Sequence, residues 1–410
     1  MSALVPLRRN RDFVLLQTGQ ALSTVGSEAG AIAYPLLVLS LTHSPAKAGL
    51  VGFVRLAPWP LFALPAGVAV DRWNRKRLMI LSDVVRVFGV GFLGLAILSG
   101  HASFALIAIV AFVEGGMYVL FNIAEIGAVR SVVASEQLPR AFATEQARLS
   151  SVYLAGPPLG GALFGVARSL PFIVDAVTYA FSTGSLLAMR TPFQEEREAA
   201  ARTDVRTEIK EGMTWLWSHT FLRMCALLFA AGNFTWGALE LTLIVAAKRE
   251  GFHSAAIGGL IAVIGALSLA GSIVAPRFHR VLSMRTTIIS NSWLAVAIGA
   301  YLIRPNVYVL LAGGAPSVFF GPTLNAMIIG YRVAMVPDRL QGRVNSVARS
   351  LALVALPLGP VVAGVLLGSF SARETVLFLV LWLLAIAIVT TASRTIRGAP
   401  DFKAATVPVS

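Results

Sequence analysis

Apolar stretches of about 20 residues alternate with short polar breaks along nearly the whole chain. A stretch of this length crosses a bilayer as a helix, because lipid leaves no water to satisfy an open backbone. A closed β-barrel would need apolar and polar residues to alternate within each strand, and the sequence lacks that alternation. The pattern therefore predicts an all-α membrane protein with twelve transmembrane helices. Their predicted spans are 12–41, 47–70, 77–98, 104–129, 141–167, 171–189, 221–247, 255–276, 284–303, 306–331, 343–369 and 374–393.

The composition favours the same class of protein. Hydrophobic residues make up 56% of the chain and charged residues 13%, whereas soluble proteins carry about 25% charged residues. The net charge of +14 would suit a nucleic-acid partner, but most basic residues lie in the short breaks, where the positive-inside rule places them. We therefore expect the chain to have a lipid bilayer, and no nucleic acid, as its partner.

The same basic residues predict the orientation of the chain. Alternate breaks, beginning with residues 1–11, hold 23 Lys and Arg residues, and the opposite breaks hold 6. The more positive side is cytoplasmic, and the number of spans is even. Both termini are therefore expected in the cytoplasm, with the protein crossing the cell (inner) membrane many times.

An internal repeat and one long break predict the domain organisation. The break at 191–220 mixes acids and bases and ends on an amphipathic segment, so it predicts a cytoplasmic linker that closes with a helix on the membrane surface. It separates an N-terminal six-helix half, 1–190, from a C-terminal half with a short tail, 221–410. Several residues recur at one offset, which indicates two copies of one unit. The matches, 203 residues apart, are Arg140 with Arg343, Gly156-Pro157 with Gly359-Pro360, Gly161 with Gly364, and Gly165 with Gly368.

Two motifs carry a resemblance to a known family. The first joins the second and third spans, and the second lies in the fifth span. Together with the six-plus-six pattern they resemble the major facilitator superfamily, and within it the drug-proton antiporter subgroup of siderophore exporters and macrolide efflux pumps. Asn74 stands where that family usually has glycine, and asparagine tolerates the left-handed conformation that such a turn needs. The motif residues are Gly67, Asp71, Arg72, Arg75, Lys76 and Arg77 in the first, and Gly156, Pro157, Pro158, Gly160 and Gly161 in the second.

The first motif also has a physical interpretation of its own. Gly67 lacks a side chain, so two helices could approach closely there, and Asp71 could accept hydrogen bonds from basic residues or from a helix N-terminus. The resemblance implies that this N-terminus belongs to the eleventh helix, near Arg343, and that the contact latches a cytoplasmic gate. The alternative is that the charges serve topology alone. A degenerate counterpart near Gly271 lacks the acid.

The second motif permits either a hinge or close helix packing. Each proline of Gly156-Pro157-Pro158 lacks an N–H and crowds the preceding turn, whereas the small neighbours favour contact with another helix.

Acidic residues inside membrane spans are costly and therefore mark functional candidates. Glu28, Glu114 and Glu240 lie in the first, fourth and seventh spans, which the resemblance places around a central cavity. A carboxyl group there could exchange a proton or attract an organic cation, with a structural salt bridge as the alternative. Arg55 is the expected counter-ion for one of them. Aromatic residues such as Tyr34 could line an apolar pocket or pack between helices.

Other charged residues in the spans suggest local structural roles. Asp83 with Arg86, and Glu145 with Arg148, have the i to i+3 spacing of ion pairs within one helix. Asp175 follows the start of the sixth span by about one turn and is expected to be a helix-start or packing acid.

We predict a secondary active exporter that moves an amphipathic small molecule outward as protons enter. The chain has no phosphate-binding loop and no nucleophile with a recognisable base, so we expect neither ATP hydrolysis nor another enzymatic activity. The lone Cys225 and the scattered histidines offer no metal-ligand spacing, and no cofactor is expected. The resemblance implies a monomer. The alternatives are a transporter of lysophospholipids or other lipids, and a membrane receptor or scaffold that transports nothing.

Overall fold

The computed structural model describes residues 6–193 and 205–399, and in both ranges the regular structure is helical, without a strand. Parts of the predicted linker and tail, 194–204 and 400–410, lie outside the described residues. The helices are α1 (Arg11–Thr42), α2 (Pro45–Leu56), α3 (Pro58–Arg72), α4 (Arg75–Leu98), α5 (Phe104–Val132), α6 (Leu138–Val166), α7 (Leu170–Ala188), α8 (Val205–Ser218), α9 (Thr220–Arg249), α10 (Ser254–Val281), α11 (Met284–Val296), α12 (Ala300–Ile303), α13 (Val307–Met335), α14 (Gln341–Val354), α15 (Leu358–Ser369), α16 (Ala372–Ala392) and α17 (Arg394–Arg397).

Within the described ranges, 11 helical segments are long and apolar enough to cross a membrane, and each coincides with a predicted span. The remaining predicted span, 47–70, is divided into α2 and α3. Pro58 and Pro60 cause this division, because neither residue can donate the backbone hydrogen bond that would continue α2. The count of twelve therefore stays a prediction.

Several helices begin at residues whose side chains cap the first turn. Asn10 accepts a hydrogen bond from the Phe13 amide at 3.1 Å, and Ser371 forms a capping box with Glu374. Asn74 differs from the expectation of a left-handed turn. Its φ is −63°, and its Oδ1 accepts a hydrogen bond from the Arg77 amide at 3.1 Å, so it is the N-cap of α4.

The chain forms two compact units, which are described separately. The first comprises Met1–Ala200 with Phe252–Ala262. Within it, α1 packs against α6 and α7, while α4 packs against α5 and α7. A buried apolar cluster at the α1, α4 and α5 ends includes Phe13, Met79 and Val129.

The second unit comprises Ala201–Gly251 with Val263–Ser410. Here α9 packs against α14 and α15, and α11 packs against α13 and α16. Cys225 is buried in the apolar cluster of this unit. The helix α8 packs on α14, where Arg343 forms an ion pair with Glu211. The first turn of the predicted eleventh span is thereby attached to the helix that precedes α9.

The Gly-Pro motif is a packing surface in this structure. The helix α6 continues through Pro157 and Pro158 without a break. A Cβ atom on Gly160 would lie 2.7 Å from the Cα of Ala29, closer than real contacts allow, and Gly161 is equally tight against the backbone of Ser254. The two glycines therefore let α6 touch the backbones of α1 and of the first turn of α10.

The second copy of the Gly-Pro motif has a different backbone conformation, but it also packs closely against another helix. Ala355 to Pro357 separate α14 from α15, so the helix is interrupted just before Gly359. A Cβ atom on Gly359 would lie 2.7 Å from the amide nitrogen of Ala238, which places α15 directly against α9. Gly156, the counterpart of Gly359 in the repeat, likewise packs against Glu28 of α1, so this pair of glycines contacts the first long helix of each unit.

Replacing Gly160 with alanine should destabilise the protein, because the added methyl group meets backbone atoms that have no rotamer to adopt. We expect Gly160→Ala to lower the free energy of unfolding by about 1 to 3 kcal/mol. Gly165→Ala is the matched control in the same helix, since no atom lies within 4 Å of the position of its Cβ. Denaturation in mixed detergent micelles measures both changes, and equal stabilities of the two variants would contradict the packing role.

Asn74 provides a test of the helix cap. We expect Asn74→Ala to lower the free energy of unfolding by about 1 kcal/mol, and Asn74→Gly to lower it by only a few tenths, since glycine is a tolerated N-cap. A residue held in the left-handed region would instead become more stable on replacement with glycine. The same unfolding measurement therefore distinguishes the cap from a left-handed turn by the sign of the Asn74→Gly effect.

Candidate functional site

Glu114 on α5 is the centre of a buried polar cluster in the first unit. Its side chain is 3% exposed. Three other helices donate to its carboxylate. The hydroxyl of Tyr34 donates to Oε2 at 2.6 Å, the guanidinium of Arg55 donates to Oε1 at 3.2 Å, and the hydroxyl of Tyr179 donates to Oε1 at 3.4 Å. Hydrogen bonds to a carboxylate are stronger than those between neutral groups, so these contacts tie the four helices together at Glu114.

Arg55 reaches Glu114 because α2 ends beside α5. A Cβ atom on Gly115 would overlap the carbonyl of Arg55, so only a glycine allows this approach. The guanidinium also donates to the Ser27 carbonyl at 3.3 Å and lies 5.7 Å from the ring centre of Tyr34. The sequence Glu114-Gly115 therefore provides both the acid and the space for its counter-ion.

A second buried pair lies beside this cluster. Asp83 and Arg86 of α4 form the ion pair predicted from their spacing. Both side chains are inaccessible, and Ser182 of α7 donates to Asp83 Oδ2 at 2.6 Å. Arg86 lies 4.2 Å from the ring centre of Tyr179, whose hydroxyl is 2.8 Å from Ser27 Oγ. The pair is thus joined to the Glu114 cluster through Tyr179.

A third pair corrects the prediction for α6. Arg148 pairs with Glu125 of α5 at 2.9 Å, not with Glu145 on its own helix. Arg148 and Glu125 are both almost fully buried, and attraction between charges is strongest where water is excluded. Beside them is a cavity of about 20 Å³, which has room for about one water molecule. Its polar lining includes Gln20, Ser27, Arg86, Glu125 and Arg148.

The three predicted cavity acids occupy different surroundings. Glu28 is half-buried on α1, where its Cβ lies against Gly156 of α6. Glu240 is half-buried on α9, in the second compact unit. Glu114 and Arg55 form the ion pair that was expected between one of these acids and Arg55.

Sequence reasoning missed the contribution of α7. Asp175, Tyr179 and Ser182 lie at i, i+4 and i+7, so they form a polar stripe on one face of an otherwise apolar helix. All three are buried. This spacing is visible in the sequence and could have identified the stripe, and Tyr34 likewise proves to be a hydrogen-bond donor to Glu114.

The basic motif after α3 contacts the end of α7. Lys76 donates to the carbonyl of Met189 at 2.7 Å, and Arg75 to that of Phe193 at 3.5 Å, whereas Arg72 and Arg77 are exposed. Two of the basic residues thus hold the segment that follows α7. The side chain of Asp71 lies outside what the structure describes.

The expected close approach at Gly67 is absent in this structure. No described atom lies within 4 Å of the position of its Cβ. The counterpart Gly271 does make such an approach, against the backbone of Phe319 on α13.

Comparison with known proteins identifies the family. The sequence profile described as Major Facilitator Superfamily matches residues 18–290. The chain is 25% identical over 370 residues to the multidrug efflux pump Tap of Mycolicibacterium fortuitum, covering 87% of this chain and 90% of that protein. It is 23% identical over 206 residues to macrolide efflux protein A of Streptococcus pyogenes, covering 50% of this chain and 51% of that one.

A solved structure shares the fold. The inward-facing, unoccupied form of a bacterial homolog of the human lysosomal transporter Spinster matches with a TM-score of 0.76 and 16% identity, over 95% of this chain and 98% of that one. At this identity the likeness concerns the fold alone.

The profile match covers well over half of the chain and agrees with the many apolar helices of a multi-pass membrane protein. The chain therefore belongs to the Major Facilitator Superfamily.

Proposed function

We propose that this protein exports amphipathic small molecules across the cell membrane by proton antiport. The names of its relatives, a multidrug efflux pump and a macrolide efflux protein, support export of drug-like compounds. We also propose twelve transmembrane helices in two six-helix halves, 1–190 and 221–410, joined by the linker 191–220. The internal repeat and the matching glycine contacts of α6 and α15 support this division.

The distribution of basic residues supports an orientation with both termini in the cytoplasm of the cell (inner) membrane. A monomer is proposed from the family resemblance.

The observation that carries the proton-antiport proposal is the ion pair between Glu114, which is buried, and Arg55, whose side chain is 21% exposed. Protonation of Glu114 would remove the negative charge that compensates Arg55. A guanidinium that is largely removed from water is costly without a counter-charge, so Arg55 would have to turn toward another anion or toward water. Because Arg55 is at the end of α2 and Glu114 is on α5, binding of a proton would alter the contact between these helices. A proton could in this way change the conformation of the transporter.

The surrounding charges favour a neutral or cationic substrate. Glu28 and Glu240 are half-buried acids on α1 and α9, and an organic cation could interact with either. Arg55 is already paired with Glu114, which weakens the alternative of an anionic substrate bound at this arginine.

Glu114→Gln tests the coupling. Purified protein in proteoliposomes with an acidic interior should accumulate a fluorescent organic cation, and we expect the variant to reduce that uptake by about tenfold or more, because the amide cannot carry the proton. Glu374→Gln is the control, since Glu374 is an exposed capping residue of α16. If dye uptake by the wild-type protein does not depend on the pH gradient, proton antiport is refuted. If Glu114→Gln retains full gradient-driven uptake, the role of this acid is refuted.

Asp71→Asn tests the proposed gate motif, Gly67 to Arg77. We expect this substitution to impair transport more strongly than Arg277→Gln, because the counterpart of the motif near Gly271 has no acid to lose. Initial rates of dye uptake at matched protein density would measure the difference. Similar losses in both variants would show that the two copies contribute equally and that Asp71 has no special role.

A further inference from the structure

Asp175 is a third acid beside two of the ion pairs of the first unit, and none of the described basic residues forms an ion pair with it. Its residue is 0% exposed and lies on α7, one turn before Tyr179. Arg55 is paired with Glu114, and Arg86 is paired with Asp83. Two arginines therefore face three carboxyl groups, and a third negative charge at this depth would be uncompensated.

The carboxyl group of Asp175 lies against the backbone of α1. A Cβ atom on Gly26 would lie 2.6 Å from Oδ1, and one on Gly30 would lie 3.2 Å from Oδ2. The two glycines, one turn apart, thus form the space that the carboxyl group occupies. The carboxyl group therefore faces backbone amides and carbonyls that already hydrogen-bond to one another within α1. The helix α1 thus offers it no hydrogen-bond donor.

The hydrogen bonds of Asp175 do not compensate for the lack of a paired basic residue among the described residues. The hydroxyl of Thr178 donates to the Asp175 carbonyl at 2.7 Å and is 3.5 Å from Oδ1, too far for a second strong bond. Oδ2 is buried and has no hydrogen-bond partner among the described residues. A carboxylate in this position would lose its hydration without gaining donors, which strongly disfavours the ionised form.

The other ionisable groups around Asp175 do not reverse this conclusion. Glu114 adds negative potential at Asp175, and the positive charges of Arg86 and Arg55, which oppose it, are shared with the carboxylates of their own ion pairs. The two nearby phenols donate to Glu114. The groups concerned are Tyr34 of α1, Arg55 of α2, Asp83 and Arg86 of α4, Glu114 of α5 and Tyr179 of α7.

We infer that Asp175 is a proton-binding site, which holds a proton in the arrangement seen here while Glu114 is ionised. When a proton binds Glu114 and releases Arg55, the guanidinium becomes available as a counter-charge for Asp175. The O–H bond of Asp175 then breaks, its proton passes to water, and the resulting carboxylate takes the place of Glu114 as the anion of the cluster. This step rests on the proposed proton antiport, whereas the protonation of Asp175 in the present arrangement does not.

Infrared spectroscopy tests the protonation state without any transport. We expect the purified full-length protein at neutral pH to show a carbonyl stretch of protonated carboxyl groups, and Asp175→Asn to remove part of that band while leaving the carboxylate bands unchanged. Thr183→Val is the matched control on α7, because the hydroxyl of Thr183 donates to a backbone carbonyl of the same helix. Loss of a carboxylate band in Asp175→Asn would overturn the inference.

Transport assays test the coupling role separately. In proteoliposomes, Asp175→Asn should lose uptake driven by a pH gradient at least as completely as Glu114→Gln does, yet retain exchange of labelled for unlabelled dye at equal pH, which needs no net proton release. Full gradient-driven uptake by Asp175→Asn would overturn the coupling role. If the wild type ignores the gradient, the proposed antiport fails, while the infrared result still decides the protonation of Asp175.

The folding of the variant is itself informative. Asparagine has nearly the shape of a protonated aspartic acid and carries no charge, so Asp175→Asn should insert, bind dye and unfold at a temperature no lower than that of the wild type. A variant that does not fold would indicate that the site needs a carboxylate, and would contradict the inference.

Discussion

A charge buried between membrane helices must be compensated by the protein itself, because neither lipid nor packed side chains can replace its hydration. Three ion pairs among the described residues of the first unit satisfy this constraint, namely Arg55 with Glu114, Arg86 with Asp83, and Arg148 with Glu125. The first pair joins α2 to α5, and the third joins α5 to α6. The second lies within α4 and is bonded to α7 through Ser182. A change in the protonation of one of these carboxyl groups would therefore alter the forces between helices, which is the physical basis of the proton coupling that we propose.

Glycine residues determine how close the charged groups can come. Gly115 admits the carbonyl of Arg55 to the surface of α5, and Gly26 with Gly30 admits the Asp175 carboxyl group to the surface of α1. The Gly-Pro motif acts in the same way, since Gly160 allows α6 to touch α1. A methyl group at any of these positions would meet backbone atoms or an oxygen of the Asp175 carboxyl group. The small residues are therefore as necessary to the polar cluster as the charged ones.

The basic motif combines two roles that are difficult to separate by inspection of the sequence. Arg75 and Lys76 bind carbonyl groups in the segment that follows α7, so they stabilise one end of the first unit. Arg72 and Arg77 are exposed, so their positive charges can contribute to the orientation of the chain in the membrane. Substitution of the whole motif would therefore mix a structural defect with any defect in gating, and single substitutions are the more informative experiment.

The sequence by itself determined the helical membrane class, the approximate limits of eleven spans and the pairing of Asp83 with Arg86. These features depend on residues close together in the chain, where apolar length and i to i+3 spacing suffice. Only the tertiary structure decided that Arg148 pairs with Glu125 and not with Glu145, and that Tyr34 and Tyr179 donate to Glu114. It also decided that no described basic residue forms an ion pair with Asp175. Those outcomes depend on the rotation and depth of one helix against another, and helical spacing fixes only which residues share a face.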